Sequence, residues 1–516
     1  MRIFFFLGQT FFEQTVSITK EIESKYQGTE FRAIVAARSN LIEELDKIDD
    51  PKFTNYDWLS GLEKTWLETP LDIKKLKDYE QKLGTKILRR IITADRELGV
   101  GFVSGGIVER TDLIKCIKKN DDAHWRYVVG LLDYLFNEYE NHRPDAIFAY
   151  CVAGAVAFAM GEVAHYFKIP FTQPVIARVK HCCIMDDNNY WSLRPATDLF
   201  DKALHDPSLV ADKMDEAKEF IKDFRERPIA PQDTVSWIKE LKKNNTYTGI
   251  LKTITTDIIR WGAIELGLKG TKGVIRQRNG YDILIKNLRY FRYMRNALNN
   301  NIRYFHNDVG DREYIYFPLH VDPEASTMVL ADMFTDQMAV IESIAKTMPA
   351  GMRLIVKEHI PCLGHRPKGF YKRVANMPDV RLVNPFMNNF EIMNNAKLVC
   401  TITGTAGWES FIFGKAPLVI GNVYYLKLGE GLVHCQDLSK MGDAIKDALK
   451  TEPVSEKRLQ LFIASIMKLS IDISPEDMWF EKYADLEKRK QAVKKIADHL
   501  INMANNKPDT KKGSSS

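Results

Sequence analysis

Short apolar runs alternate with longer amphipathic stretches along most of the chain, and in two regions they follow the order strand, helix, strand that opens a parallel α/β sheet. The first run, Ile3-Phe4-Phe5-Phe6-Leu7, ends at Gly8. It predicts a buried strand, then a helix from about 11 to 26 and a second strand near 31 to 36. Charged and aromatic text from 43 to 90 predicts helices and excursions rather than further core strands. The pattern resumes after Pro144, with an apolar strand at 145 to 150, a small-residue helix from 153 to 167 and a strand at 169 to 171.

From about 200 to 310 long charged and amphipathic stretches predict a helical insert or bridge. A second α/β series begins at 314 to 319 and continues through apolar runs at 353 to 357, 380 to 383, 397 to 401 and 417 to 421. Helical patterns near 331 to 347, 390 to 395 and 406 to 413 separate them, the spacing of right-handed crossovers in a parallel sheet. After 455 the text is helical again, and its amphipathic end, 485 to 505, suits a tail packed back across paired domains. The division this predicts is a Rossmann-like domain over 1–200, a helical bridge over 201–312, a second Rossmann-like domain over 313–455 and C-terminal helices over 456–510.

Length supports two large domains, since 516 residues exceed what one compact core holds. With 45% hydrophobic and 27% charged residues the composition is that of a folded globular chain. A formal charge of +5 against 73 basic and 68 acidic residues demands no nucleic-acid partner, so any basic function is local. Seven cysteines without a CxxC pair, two of them adjacent at Cys182 and Cys183, read as reduced thiols. The eleven histidines show no metal-ligand spacing, so neither metal nor other cofactor is expected. No apolar run approaches the roughly 20 residues that span a bilayer. The opening run is too short for a signal-peptide core, and Lys511–Ser516 reads as a polar extension or cloning scar. The absence of HExxH, GxSxG and GxxxxGK[ST] disfavours protease, lipase and nucleotide-hydrolase readings.

The sharpest local signal is Thr401-Ile402-Thr403-Gly404-Thr405-Ala406-Gly407-Trp408-Glu409, directly after an apolar run. Small residues let backbone approach a ligand, and amides opening a helix can hold phosphate oxygens, so Thr403, Gly404, Thr405, Ala406 and Gly407 are candidate phosphate contacts. Glu409 lies one residue beyond capping-box spacing, which frees its carboxylate for ribose hydroxyls. A tight turn with a solvated Glu is the plainer alternative. In the first half, Asp95 and Glu97 lie in a glycine-flanked segment; either could activate an acceptor hydroxyl or form a covalent intermediate. An exposed, salt-bridged Asp-Arg-Glu surface is the alternative there, and Glu109, Arg110 and Asp112 are acceptor contacts or plain solvated charge.

The 401–409 segment, together with Tyr316-Phe317-Pro318-Leu319-His320-Val321-Asp322-Pro323-Glu324-Ala325 and Val356-Lys357-Glu358-His359, resembles the capsule polysaccharide synthesis family, which includes Kdo transferases. The resemblance is clearest from 314 to 425, with weaker echoes at 93 to 106 and 145 to 171. It implies a GT-B-like fold, two Rossmann-like domains facing across a cleft that holds donor and acceptor. In the family, a Gln-Pro-Glu and a His-Pro element help bind a cytidine-monophosphate sugar. Here the first stands as Asp322-Pro323-Glu324 and the second as His359-Ile360-Pro361, with one residue inserted. On this reading Lys357 and His359 contact phosphate, Glu324 orients a ribose or works in acid–base catalysis, and the protein is a cytoplasmic-facing glycosyltransferase. Its partners are then a nucleotide-sugar donor and a saccharide or lipid-linked saccharide acceptor, with no nucleic acid expected. A nucleotide-sugar epimerase and a non-catalytic scaffold of polysaccharide assembly are the rival readings.

The segment from 272 to 304 carries Arg276, Arg278, Lys286, Arg289, Arg292, Arg295 and Arg303 among Tyr290, Phe291, Tyr293 and Met294. Such text suits peripheral contact with the inner membrane face, single-stranded nucleic acid, or a helix packed by one stripe on its own domain.

Overall fold

The computed structural model describes residues 1–8, 11–36, 53–102, 111–180, 182–228, 246–265, 275–276, 280–473, 477–478 and 485–506. Its strands are β1 (Arg2–Gly8), β2 (Glu30–Ala36), β3 (Phe53–Trp58), β4 (Ala146–Ala149), β5 (Phe171–Ile176) and β6 (Cys182–Asp186) in the first half. The second half adds β7 (Tyr314–Pro318), β8 (Arg353–Lys357), β9 (Val380–Val383), β10 (Leu398–Thr401), β11 (Leu418–Val419) and β12 (Val433–His434), and β13 (Ile471–Asp472) follows.

These form two sheets, ordered β13-β6-β5-β4-β1-β2-β3 and β12-β11-β10-β7-β8-β9. In the first, β3-β2-β1-β4-β5 are parallel, and β6 and β13 extend it antiparallel. Every pairing in the second is parallel. In each sheet the chain steps outward from its first strand in one direction, then crosses back and steps outward in the other. That reversal opens a crevice at the carboxyl ends of β1 and β4, and another at those of β7 and β10.

The central strands are apolar on both faces because both faces are covered. Phe4 and Phe6 enter a core shared with the helices Leu59–Glu68 and Ala123–Asn141, whereas Ile3, Phe5 and Leu7 enter one shared with Phe12–Lys25 and Leu486–Asn505. In β7 the same alternation sends Ile315 and Phe317 to one side and Tyr314 and Tyr316 to the other. A further core belongs to neither half alone. Val175 and Phe200 from the first meet Trp408, Phe411 and Tyr425 from the second around the helix Glu456–Leu469, and the Trp408 indole donates to the Arg178 carbonyl at 3.0 Å.

Three features differ from the pattern read along the chain. The stretch from 43 to 90 does contain a sheet strand, β3; among the described residues it is an edge strand paired through β2, and it tolerates the polar Asn55 and Asp57 that hid it. A boundary at 200 falls inside the helix Arg194–His205, which packs on Glu456–Leu469. The C-terminal helices are divided between the halves, since Glu456–Leu469 fills the seam while β13 and Leu486–Asn505 complete the first domain.

Candidate functional site

At the crevice between β7 and β10 the two strand-end loops are tied together. The Thr403 amide donates to His320 Nε2 at 3.0 Å, the Gly404 amide to Thr401 Oγ1 at 3.0 Å, and the Thr403 hydroxyl to the Ser326 carbonyl at 2.8 Å. The Tyr425 hydroxyl holds the Gly404 carbonyl at 2.9 Å. Because Nε2 accepts, the neutral imidazole carries its proton on Nδ1, and that buried nitrogen has no hydrogen-bond partner in the protein. Burial, with His359 and Arg366 nearby, lowers the His320 pKa to about 3, so the ring is neutral at physiological pH. The helix Thr405–Ile412 begins at this knot; its Gly407 amide donates to the Gly404 carbonyl at 3.2 Å, and the Thr405 and Ala406 amides precede that bond at the helix start. Gly404 is required by space: a Cβ there would lie 2.7 Å from Thr401 Oγ1 and 3.2 Å from His320 Nε2. The loop and the helix start form a cradle whose Thr405 and Ala406 amides are of the kind that holds phosphate oxygens.

Behind the cradle lies a buried charged network. Arg366 donates to both Glu358 oxygens at 2.9 and 2.8 Å and to the His320 carbonyl at 2.6 Å, and Tyr371 donates to Glu358 at 2.8 Å. Asp322 approaches this network only at 4.0 Å from Arg366, and neither of its buried oxygens has a hydrogen-bond partner in the protein. Burial, against the pull of Arg366, raises its pKa to about 6. Arg96, from the first half, also acts on Asp322. Glu324 is exposed, accepts from the Ser326 hydroxyl at 3.1 Å, and faces Cys151, whose thiol is pushed up to about 12 by burial and then by the Glu324 charge. The loops following β4 and β7 therefore confront one another.

Lys357 is buried, and its ammonium donates to the Pro385 carbonyl at 2.7 Å, fastening β8 to the loop after β9. Desolvation lowers its pKa to about 7. Exposed His359 sits near enough to His320 to influence its titration. Glu409, half-buried one turn into the helix, takes a hydrogen bond from the Thr405 side chain; burial raises its pKa to about 7 against the opposing charge of Arg178. Gly407 packs under Tyr425, whose hydroxyl oxygen would lie 2.4 Å from a Cβ there.

Across the crevice, Asp95 is buried. Its Oδ1 accepts the amides of Glu97 and Leu98 at 2.9 and 3.1 Å and Arg276 Nη1 at 3.0 Å, and Oδ2 faces the Ala155 amide at 3.5 Å. Burial works to raise its pKa, but the Arg276 charge and these hydrogen bonds outweigh it, and Asp95 titrates below its ordinary range. Glu97 accepts from the Thr111 hydroxyl at 2.9 Å; burial, partly countered by Arg276, raises it to about 7. Arg276 also reaches Glu63 at 2.7 Å and the Tyr127 hydroxyl at 3.1 Å. This corrects the reading of 272–304 at one residue, because the Arg276 guanidinium is turned to the carboxylates of its own protein. Exposed Asp112 opens the helix Asp112–Lys119 and pairs with Lys115 at 2.9 Å. Glu109, Arg110 and Arg278 lie outside the described residues.

Thr403 to Gly407, Glu409, Glu324 and His359 are thus gathered at one crevice, Lys357 lies beneath it, and Asp95 and Glu97 sit at the switch-point side of the first sheet. Reading the sequence missed His320, Asp322 and Arg366 as site residues, although His320 and Asp322 directly follow a predicted strand. It also missed the Arg276–Glu63 partnership, whose members are 213 residues apart.

The chain is thus an α/β protein of two Rossmann-like domains whose switch-point loops face each other, a GT-B-like arrangement. No family model matches it, and no curated protein matches it by sequence. Solved structures that align with it include a UDP-GlcNAc 2-epimerase from Neisseria meningitidis bound to UDP-GlcNAc, at 9% identity over 97% of this chain and 100% of that one, with a TM-score of 0.22. The Thermosulfurimonas dismutans KpsC beta Kdo 2,7 transferase aligns at 11% identity over 64% of this chain and 79% of that one, with a TM-score of 0.33. The glycosyltransferase VinC in complex with dTDP aligns at 8% identity over 98% and 100%, with a TM-score of 0.24.

Proposed function

We propose that the protein is a glycosyltransferase that moves a sugar from a nucleotide-sugar donor to a surface-polysaccharide or glycolipid acceptor. The observation that carries this reading is the cradle of Thr403–Ala406 at the start of the helix Thr405–Ile412, fixed by the Thr403 amide on neutral His320 and the Gly404 amide on Thr401. Donor phosphate occupies the cradle, Glu409 receives the ribose hydroxyls, and His359 borders the phosphate. Glu97 and Glu324 are the acid–base groups. Glu97 titrates close to neutrality, where a carboxyl can both give and take a proton. Asp95 positions the start of the helix Ala155–Tyr166 through the Ala155 amide. The family resemblance points to a cytidine-monophosphate-linked donor such as CMP-Kdo, while the elements at 322–324 and 359–361 depart from the family pattern and leave the base to a nucleotide screen.

A thermal-shift screen of cytidine, uridine, guanosine and thymidine nucleotides tests this directly. Saturation at about 100 times Kd stabilises the native state by roughly 2.7 kcal/mol, which a melting curve resolves. The expected result is selective stabilisation by one base, lost in both Glu409→Ala and His359→Ala. No shift with any nucleotide at millimolar concentration removes the proposal. Product formation that requires no acceptor replaces transfer by epimerisation.

A further inference from the structure

The helices Tyr247–Glu265 and Gly280–Leu298 form an antiparallel hairpin beside the second domain. Close approach is set at Gly280, where a Cβ would lie 2.7 Å from the Trp261 backbone. The Trp261 and Tyr281 rings pack at 5.6 Å, and Asn287 donates to Asp257 at 2.6 Å. Asp257 and Trp261, four residues apart, thus mark the inward face of the first helix. Leu251, Ile258 and Ile259 fall on its other side and are 66%, 49% and 66% exposed. On the second helix Tyr281 and Leu288, seven residues apart, are exposed as well. Five of the fourteen exposed large hydrophobic residues among the described ones therefore lie on this one hairpin. Scattered single apolar residues are ordinary on a surface, but a concentration on one projecting element is not.

Charge is concentrated in the same place. The two helices carry Lys252, Arg260, Lys286, Arg289, Arg292 and Arg295 against Asp257, Glu265 and Asp282, an excess of basic residues in the sequence of the hairpin itself. Lys252, Arg292 and Arg295 are exposed among the aliphatic positions. The hairpin is also braced from behind: Tyr290, Met294 and Ala297 enter the second-domain core, Tyr290 packs on His365 at 5.3 Å, and Arg289 donates to the Arg366 carbonyl at 3.3 Å. Among the described residues no helix is long and apolar enough to cross a membrane.

We propose that this hairpin docks the protein on the surface of an anionic lipid bilayer, with Leu251, Ile258, Ile259 and Leu288 entering the headgroup boundary and the basic residues pairing with lipid phosphates. Single-stranded nucleic acid fits the same charge less well, because stacking needs exposed rings and four of the five exposed positions are aliphatic. Tyr290 is buried and Tyr293 packs on Tyr371 at 5.5 Å, so neither offers a free platform. The brace through Arg289 links the docked surface to Arg366, the residue that holds the His320 carbonyl.

The test is co-sedimentation of the full chain with vesicles of phosphatidylcholine alone and of equal parts phosphatidylcholine and phosphatidylglycerol. Binding to the mixed vesicles is expected to be at least about tenfold stronger and to weaken at high salt. The triple variant Leu251→Ser, Ile258→Ser, Ile259→Ser should lose it while melting at the same temperature as the parent, since all three side chains are exposed. Arg292→Glu with Arg295→Glu should lose it too. Absence of binding to mixed vesicles overturns the proposal, as does equal binding by the triple variant. A change of oligomeric state in the triple variant, measured by light scattering without vesicle binding by the parent, makes the face a contact between copies. Retention of an oligonucleotide in place of vesicles assigns the surface to nucleic acid.

Discussion

Arg276→Ala is expected to lower the unfolding free energy by about 3–5 kcal/mol, the usual consequence of removing one partner from a buried ion pair. Arg276 contacts Glu63 and Asp95 at 2.7 and 3.0 Å and lies 3.8 Å from Glu97, so its loss leaves three carboxylates facing one another out of water. With about 2–4 °C per kcal/mol for a chain with large domains, melting should fall by roughly 6–20 °C at neutral pH. The effect has a signed pH dependence. Glu97 has a folded pKa raised from 4.5 to about 7, so the native state binds its proton more tightly than the unfolded chain. Its contribution to stability is therefore greatest below 4.5 and declines as pH rises to about 7. Without Arg276 the carboxyl groups titrate higher still, and protonation relieves their repulsion. The difference in melting temperature between variant and parent should be smaller at pH 5 than at pH 8. A variant that melts with the parent at pH 8 would show that the cluster does not secure the first domain.

Gly404→Val is expected to abolish nucleotide-dependent stabilisation and to lower turnover by about 10²–10³, the scale of losing a preorganised backbone donor. The added Cβ cannot fit at 2.7 Å from Thr401 Oγ1, so the loop must move and release the Gly404 amide from Thr401. The neighbouring Thr403 amide then leaves His320, and the first turn of Thr405–Ile412 loses its aim. The backbone angle at Gly404, φ −71°, is open to any residue, which makes the defect one of space at the cradle rather than of backbone strain. Global melting in the absence of ligand should therefore change much less than nucleotide binding. Full nucleotide response in Gly404→Val would place the phosphates elsewhere.

The fold was legible where burial on both faces forces an unbroken apolar run. β1, β7, β8 and β10 are such strands, with buried apolar residues at consecutive positions and polar ones confined to their ends. β3 escaped because an edge strand can carry Asn55 and Asp57, and β13 because two residues make no pattern. The strand orders themselves are long-range facts that no local period encodes. At the site, the small residues from 403 to 407 advertise close backbone approach, whereas the importance of His320 comes from its contact with Thr403, 83 residues away. Asp95 stood out as a carboxylate beside a glycine-flanked loop, yet its chemistry is set by Arg276, 181 residues distant in a basic stretch that reads as outward-facing. The text from 280 to 304 mixes both kinds of position, with Tyr290 and Met294 packed inward and Arg292 and Arg295 exposed.

The most direct measurement is an experimental structure with the nucleotide that gives the largest thermal shift. Phosphate oxygens are expected within hydrogen-bond distance of the Thr405 and Ala406 amides, with the ribose beside Glu409. A nucleotide bound at the β1–β4 crevice, or phosphates held away from the start of the helix Thr405–Ile412, would contradict it.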